Sequence, residues 1–209
     1  MADNYLERRQ QELQEKKTVV RRSGVSLDSL LKKNRSYRGY DQRRIVTEDE
    51  LKQIVAATTM VASGMNRQRL RYHLVTKPDA GKVLPHITLG AALPEEHLPH
   101  HGTEPEAFIV VCATEAENKI IDIDLGIAAQ TMLLKATEMG LGGIFVLNFR
   151  AEAIREALDL PSNPIAIIAI GKPAEKIFLL PVDAGADLNY YRKDGIHYVP
   201  KLKAEDLLI

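Results

Sequence analysis

The chain has a single cysteine, Cys112, and no surplus charge of either sign, with 28 Lys plus Arg against 28 Asp plus Glu among 209 residues. One thiol cannot close an internal disulfide, so the core has to hold the fold, and a reducing compartment suits it. Zero formal charge removes the whole-molecule field that would draw the protein to nucleic acid or anionic lipid; any anion site must be local. Long apolar runs are also missing. The most apolar stretches, residues 108–113 and 165–170, fall far short of the roughly 20 residues that span a bilayer. No charged start followed by an apolar run marks a secretory leader. Aromatics make up 5% of the chain, and from Lys16 to Arg44 only Tyr37 and Tyr40 lie among the basic residues, which argues against a nucleic-acid surface there. These absences predict a cytoplasmic protein with neither a membrane nor a nucleic acid as partner.

What is present is ordinary for a globular domain: 45% hydrophobic and 27% charged residues, in a chain long enough to bury a substantial core as one domain. Residues 1–25 read as a charged arm and 26–209 as the folded domain. From Met1 to about Arg22 the chain is dense in Glu, Gln, Lys and Arg, with Tyr5, Leu6 and Leu13 as sparse apolar positions. That stretch is either a solvated helix lying on a partner or a partly unfolded segment.

Leu27, Leu30 and Leu31 predict a short helix running into the basic stretch Lys32 to Arg38. Thr47 with Glu50 forms a capping box, and helical spacing continues to Val61 before Ser63-Gly64-Met65-Asn66 breaks it. Tyr72–Thr76 reads as a strand, a short helix begins at Pro78, and Ala91–Pro105 reads as a long surface loop. The continuous apolar run Ala107–Ala113 suits a central strand covered on both faces. After Asp122 and Asp124, residues Leu125–Met139 form a helix apolar almost all round, which implies burial in a domain or subunit core. Gly140 suits its left-handed cap; Ile144–Leu147 is a strand, Ala151–Leu158 a helix and Pro164–Gly171 the last strong strand. The remainder, with Asp194-Gly195, reads as a tail containing a turn. Helices alternating with four strands predict a layered arrangement with helices over a central sheet.

Four segments carry candidate chemistry. Arg35, Ser36 and Arg38 place two guanidiniums and a hydroxyl within four residues, the donors needed to grip a phosphate through forked, charge-assisted bonds, although a solvated basic turn would look the same. Ser63, Asn66 and Gln68 flank a glycine; their side chains offer uncharged donors and acceptors to the edge of a heteroaromatic ring, and equally to an ordinary polar turn. Gly140-Leu141-Gly142-Gly143 joins a helix to a following strand, the reverse of the dinucleotide-binding order. Lys201 and Lys203 could reach a phosphate from the tail. His97 and His101 have the spacing of ligands on one helical face, but Pro99 between them disfavours a helix, so no metal is expected. Cys112 sits inside an apolar strand, where an inert buried thiol is the expectation.

Asn34-Arg35-Ser36-Tyr37-Arg38-Gly39-Tyr40 resembles the Arg-Arg-Ser-x-Arg-x-Tyr/Phe opening motif of the FMN-dependent nitroreductases, and Ala62-Ser63-Gly64-Met65-Asn66-Arg67-Gln68 resembles their Pro-Ser-x-x-Asn-x-Gln segment. The helix from Gly126 to Met139, the strand ending Leu147-Asn148-Phe149, and Lys201-Leu202-Lys203 are similar to the family's central helix, flavin-contacting strand and basic pair. The chain departs from the pattern at Asn34, Ala62, Arg69-Leu70 and Leu147-Asn148. The resemblance covers Leu27 to Lys203. It implies an α+β fold, a mainly antiparallel or mixed sheet flanked by helices, built as an intertwined homodimer with FMN shared between subunits. By matching positions, Arg35, Ser36, Arg38, Lys201 and Lys203 would hold the phosphate and ribityl end; Ser63, Asn66 and Gln68 would lie at the pyrimidine side; backbone groups at Leu147 and Asn148 would face N5. The implied activity is electron transfer from NAD(P)H through the flavin to a small planar acceptor such as a nitroaromatic or quinone, with no catalytic side chain required. The same fold also serves dehalogenation, flavin breakdown and flavin storage.

Overall fold

The computed structural model describes residues 24–90 and 93–209; the expected charged arm lies outside them except for its last two residues. Helix α1 (Leu27–Lys33) starts where Ser26 Oγ accepts the Ser29 N–H, and ends where the Asn34 N–H reaches Leu30 O. Helix α2 (Glu48–Ala56) begins at the expected capping box, with the Thr47 N–H bonded to Glu50 Oε2 at 2.9 Å and the Glu50 N–H to Thr47 Oγ1 at 3.3 Å. Its last turn tightens into a 3-10 segment, Ala57–Met60, which accounts for helical spacing persisting nearly to Val61.

Strand β1 (Leu70–Val75), strand β2 (Ala107–Ala113), helix α3 (Lys119–Glu138), strand β3 (Gly142–Val146), helix α4 (Ala151–Ala157) and strand β4 (Pro164–Gly171) follow. Helix α3 begins earlier than its apolar run suggests. Asn118 Oδ1 accepts the N–H groups of Ile120 and Ile121, so Asp122 and Asp124 lie within the helix and not before it. Gly140, at φ +75°, ends it in the left-handed region as its position implies.

The main sheet has the order β1-β2-β4-β3, antiparallel throughout, which puts β2 and β4 at its centre. Alternation along those two strands feeds two separate layers. Ala107, Ile109, Ile168 and Ile170 pack under α2 and α3 with Leu51, Ile54 and Met132. Phe108, Val110, Ile167 and Ala169 pack on the opposite side with Val83, Ile144, Val146 and Ile154 of α4. Both faces being covered is why these strands read as continuous apolar runs.

The C-terminal part is not a tail. Strand β5 (Lys176–Val182), strand β6 (Tyr191–Lys193) and strand β7 (Ile196–Leu202) form a second sheet of order β5-β7-β6, with β5 parallel and β6 antiparallel to β7. The described chain therefore has seven strands where periodicity shows four. The second sheet is thin: β5 and β6 are mostly exposed, and the more buried β7 turns inward at His197 and Pro200, so the three carry little apolar alternation.

Candidate functional site

Residues 35–40 are laid along edge strand β3. Ser36 pairs with Gly143, the Tyr37 N–H donates to Gly143 O at 3.2 Å, and Tyr40 pairs with Pro173. Glycine makes this approach possible: a Cβ on Gly142 would lie 2.7 Å from both the Tyr37 ring and Pro173, and one on Gly143 would lie 2.3 Å from Ala169 O. The glycine-rich turn thus seats the Arg35 to Arg38 segment.

Arg38 is 9% exposed. Its N–H donates to Glu175 Oε2 at 2.8 Å, its Nη1 to Ser36 O at 3.1 Å and its Nη2 to the Tyr190 hydroxyl at 3.4 Å, with the guanidinium 5.0 Å from the Tyr190 ring centre. Arg192 pairs with the same Glu175, and His197 lies against Tyr190 with ring centres 5.1 Å apart. Arg35 donates Nη2 to Leu31 O at 2.5 Å, and burial pulls its pKa below the ordinary value. Among the described residues, the buried Nε atoms of Arg35, Arg38 and Arg192 and both ring nitrogens of His197 have no hydrogen-bond partner. Glu175 pairs with the Arg192 guanidinium and takes only the backbone N–H of Arg38, so the cluster keeps a positive surplus. Buried donors without partners are uncommon, and a group of them beside two guanidiniums suits an oxyanion.

The second group lies at the N-terminal half of α3. Ser63 Oγ donates to Asp124 Oδ2 at 2.9 Å, the Gly64 N–H to Asp124 Oδ1 at 2.7 Å, and the Gln68 N–H to Ser63 Oγ at 2.9 Å. The loop between them is tightly coiled: Met65, Asn66 and Gln68 have φ of 52°, 53° and 48°. The exposed Asn66 and Gln68 side chains meet through Gln68 Nε2 and Asn66 Oδ1 at 3.1 Å. They line a groove of about 280 Å³ with Thr58, Tyr72, Asp124 and Ala128. Arg69, one of the positions at which the chain departs from the family pattern, is turned inward, with Nε 2.5 Å from Glu115 Oε1.

Leu147 and Asn148 emerge exposed from the far end of β3, where the Thr88 N–H holds Asn148 O at 2.9 Å. Gly143 and Leu147 are four residue steps apart along this edge, roughly 13 Å at about 3.3 Å per residue. One edge therefore carries the Arg35 to Arg38 group at one end and the Leu147–Asn148 backbone at the other. Lys201 is exposed on β7, and Lys203 is ion-paired with Asp183. Within one chain, no described hydrogen bond or ion pair joins these lysines, or the loop of Asn66 and Gln68, to Arg35 or Arg38.

Sequence reading alone misses Asp124, Glu175, Tyr190, Arg192 and His197. Asp124 carries a faint signal as an acid on an otherwise apolar helix. The others lie within 22 residues of one another in the C-terminal segment, and what ties them to the site is the contact of Glu175 and Tyr190 with Arg38, across 137 and 152 residues of chain. The histidine loop offers no shared ligand set: the 3-10 turn Pro94–Glu96 ends at His97 in a left-handed conformation, His101 lies near Glu104, and no described group of three His, Cys, Asp or Glu could hold a metal ion. Cys112 is buried, and burial pushes its thiol pKa up, away from nucleophilic use.

Comparison with known proteins bears on the same residues. A candidate NADH dehydrogenase/NAD(P)H nitroreductase of Methanothermobacter thermautotrophicus is 29% identical over 154 residues, 69% of this chain and 76% of that one. An FMN-dependent nitroreductase from Clostridium difficile R20291 is similar in structure, with a TM-score of 0.57 and 25% identity over 72% of this chain and 89% of that one. A candidate nitroreductase from Desulfovibrio desulfuricans, solved in complex with FMN, has a TM-score of 0.60 and 23% identity over 73% and 89%. The model of the nitroreductase family matches residues 31–172, taking in Arg35 to Arg38, the Ser63–Gln68 loop, α3 and the whole main sheet. With more than half of its length matched, the chain belongs to the nitroreductase family.

Proposed function

We propose that this protein binds FMN and acts as an NAD(P)H-dependent oxidoreductase that reduces a small planar acceptor such as a nitroaromatic or quinone. The observation that carries this reading is the pair of buried, unpartnered Nε atoms of Arg35 and Arg38, set where Ser36 joins the glycine start of β3. The residues fit the group. Arg35, Ser36 and Arg38 would hold the phosphate, Ser63, Asn66 and Gln68 the pyrimidine edge, and the backbone at Leu147 and Asn148 the ring centre. Lys201 could join from β7, and Lys203 would have to leave Asp183 to do so.

Bound FMN would supply the electron-carrying chemistry, taking reducing equivalents from NAD(P)H and delivering them to the acceptor. The side chains supply grip and orientation. Guanidiniums hold the dianionic end by charge, and the neutral amides of Asn66 and Gln68 orient the other end without adding charge beside the ring. A homodimer is part of this reading. Asn66 and Gln68 of one chain would meet the ring of an FMN whose phosphate is held by Arg35 and Arg38 of its partner, and α3 carries an exposed or half-exposed stripe at Ile123, Gly126, Ile127 and Gln130 on which a second copy could pack. The test is direct. The purified protein should be yellow or take up FMN at micromolar levels, and should then oxidise NADH or NADPH in the presence of a quinone or nitroaromatic. A colourless preparation that ignores added FMN sinks the proposal.

A further inference from the structure

Asp124 is 5% exposed on a helix face otherwise made of Ile121, Leu125 and Ala128. A carboxylate is costly there unless its oxygens are satisfied, and both are used by the same short loop. Oδ2 takes the Ser63 hydroxyl proton and Oδ1 takes the Gly64 N–H. A hydroxyl has one proton to give. With that proton committed to Asp124, the Ser63 oxygen offers a lone pair in a fixed direction, and the Gln68 N–H occupies it. The carboxylate thus reaches Gln68 through Ser63.

The loop needs such a clamp. Met65, Asn66 and Gln68 all sit in the left-handed region, which non-glycine residues disfavour. The loop is also pressed onto α3: a Cβ on Gly64 would lie 2.2 Å from Ile120 Cγ2. Arg69 secures the remaining side, donating Nη1 to Gly64 O at 3.4 Å while its Nε pairs with Glu115. With the backbone so held, the Gln68 side-chain N–H bonds Asn66 Oδ1. That leaves the Asn66 amide hydrogens and the Gln68 carbonyl oxygen for a ligand, a donor and an acceptor side by side, as the imide edge of a pyrimidinedione requires.

We propose that Asp124 is a positioning residue for the loop that carries Asn66 and Gln68, acting through Ser63 and Gly64 to hold both amides in the shape that meets a flavin's pyrimidine edge. The inference rests on the FMN reading above. It is tested on the full-length protein by measuring Kd for FMN and for riboflavin, with apo-protein Tm, in Asp124→Leu, Asp124→Asn, Ser63→Ala and Arg38→Ala. Loss of a charge-assisted clamp should raise both Kd values by the same factor, roughly tenfold, in Asp124→Leu. Asp124→Asn should recover part of that loss, because an amide oxygen can still accept the Gly64 N–H. Arg38→Ala should weaken FMN alone, since riboflavin lacks the phosphate. Should Asp124→Leu not fold, Ser63→Ala, at the partly exposed start of the loop, carries the test with the same parallel rise expected. Wild-type affinity for both flavins in Ser63→Ala and Asp124→Asn, or a loss confined to FMN, overturns the inference while leaving FMN binding standing. A wild-type protein that binds neither flavin overturns both.

Discussion

Arg35 and Arg38 are separated by two residues yet anchored differently, the first on its own helix end and the second against Glu175 and Tyr190. If their free Nε atoms serve a phosphate, each alanine substitution removes a charge-assisted bond, and FMN affinity should fall roughly 10- to 100-fold while riboflavin affinity stays put. Equilibrium titration with both flavins checks this; equal losses would show that the arginines support the fold and not the anion. These arginines are legible in the sequence because charge and spacing are local properties. His197 is not, since its burial depends on a small sheet with little apolar alternation and on Arg38 reaching it from the start of the domain. Burial, and after it the Arg38 and Arg192 guanidiniums, hold its pKa below the ordinary 6.5, with Glu175 and Glu96 opposing. A histidine kept neutral in the fold but free to charge when unfolded contributes stability that is complete above pH 6.5 and declines as the pH falls below it toward the folded value. Urea midpoints measured from pH 7.5 to 5 should fall through that window, and His197→Phe should flatten the slope. An unchanged slope in the variant would assign the loss to other groups.

At the scale of elements, the main sheet is readable wherever both faces are covered. Ala107–Ala113 and Pro164–Gly171 match β2 and β4 at both ends because uninterrupted apolar runs stop where burial stops. The second sheet defeats the same reading. Strand β5 alternates among mostly exposed positions, β6 has three residues, and β7 contains His197, Pro200 and Lys201, so pairing between strands holds them more than apolar burial does. The start of α3 is hidden for another reason: its first turns, from Lys119 to Asp124, mix three isoleucines with Lys119, Asp122 and Asp124, and the two aspartates read as the end of a loop although Asn118 caps the helix before them. The glycines that open β3 are visible as a motif, but what they do is set by the chain packed against them. Gly143→Ala would drive a methyl group toward Ala169 O and strain the β3–β4 pairing, at a cost of about 1–3 kcal/mol. Thermal unfolding should show the loss together with weaker FMN retention, because Ser36 is seated on the same residue. A variant as stable as the wild type would mean the strand edge shifts freely.

At the scale of the molecule, charge is balanced, and among the described residues no helix is long and apolar enough to cross a membrane. Ile123 is 53% exposed on α3, with Met60 and Met65 also largely uncovered nearby in sequence to the groove-lining loop. If a second copy covers this stripe, light scattering should give a two-chain mass, and Ile123→Glu should yield single chains that no longer retain FMN. A dimer that survives the substitution with its FMN would place the contact elsewhere. The family pattern stops at Lys172, but Arg38 rests on Glu175 and Tyr190, and these in turn on Arg192 and His197. An arginine near the beginning of the domain therefore finds its final neighbours only after translation has passed residue 197. During synthesis every strand of the main sheet is therefore made before Glu175, Tyr190, Arg192 and His197 exist to complete the Arg38 corner.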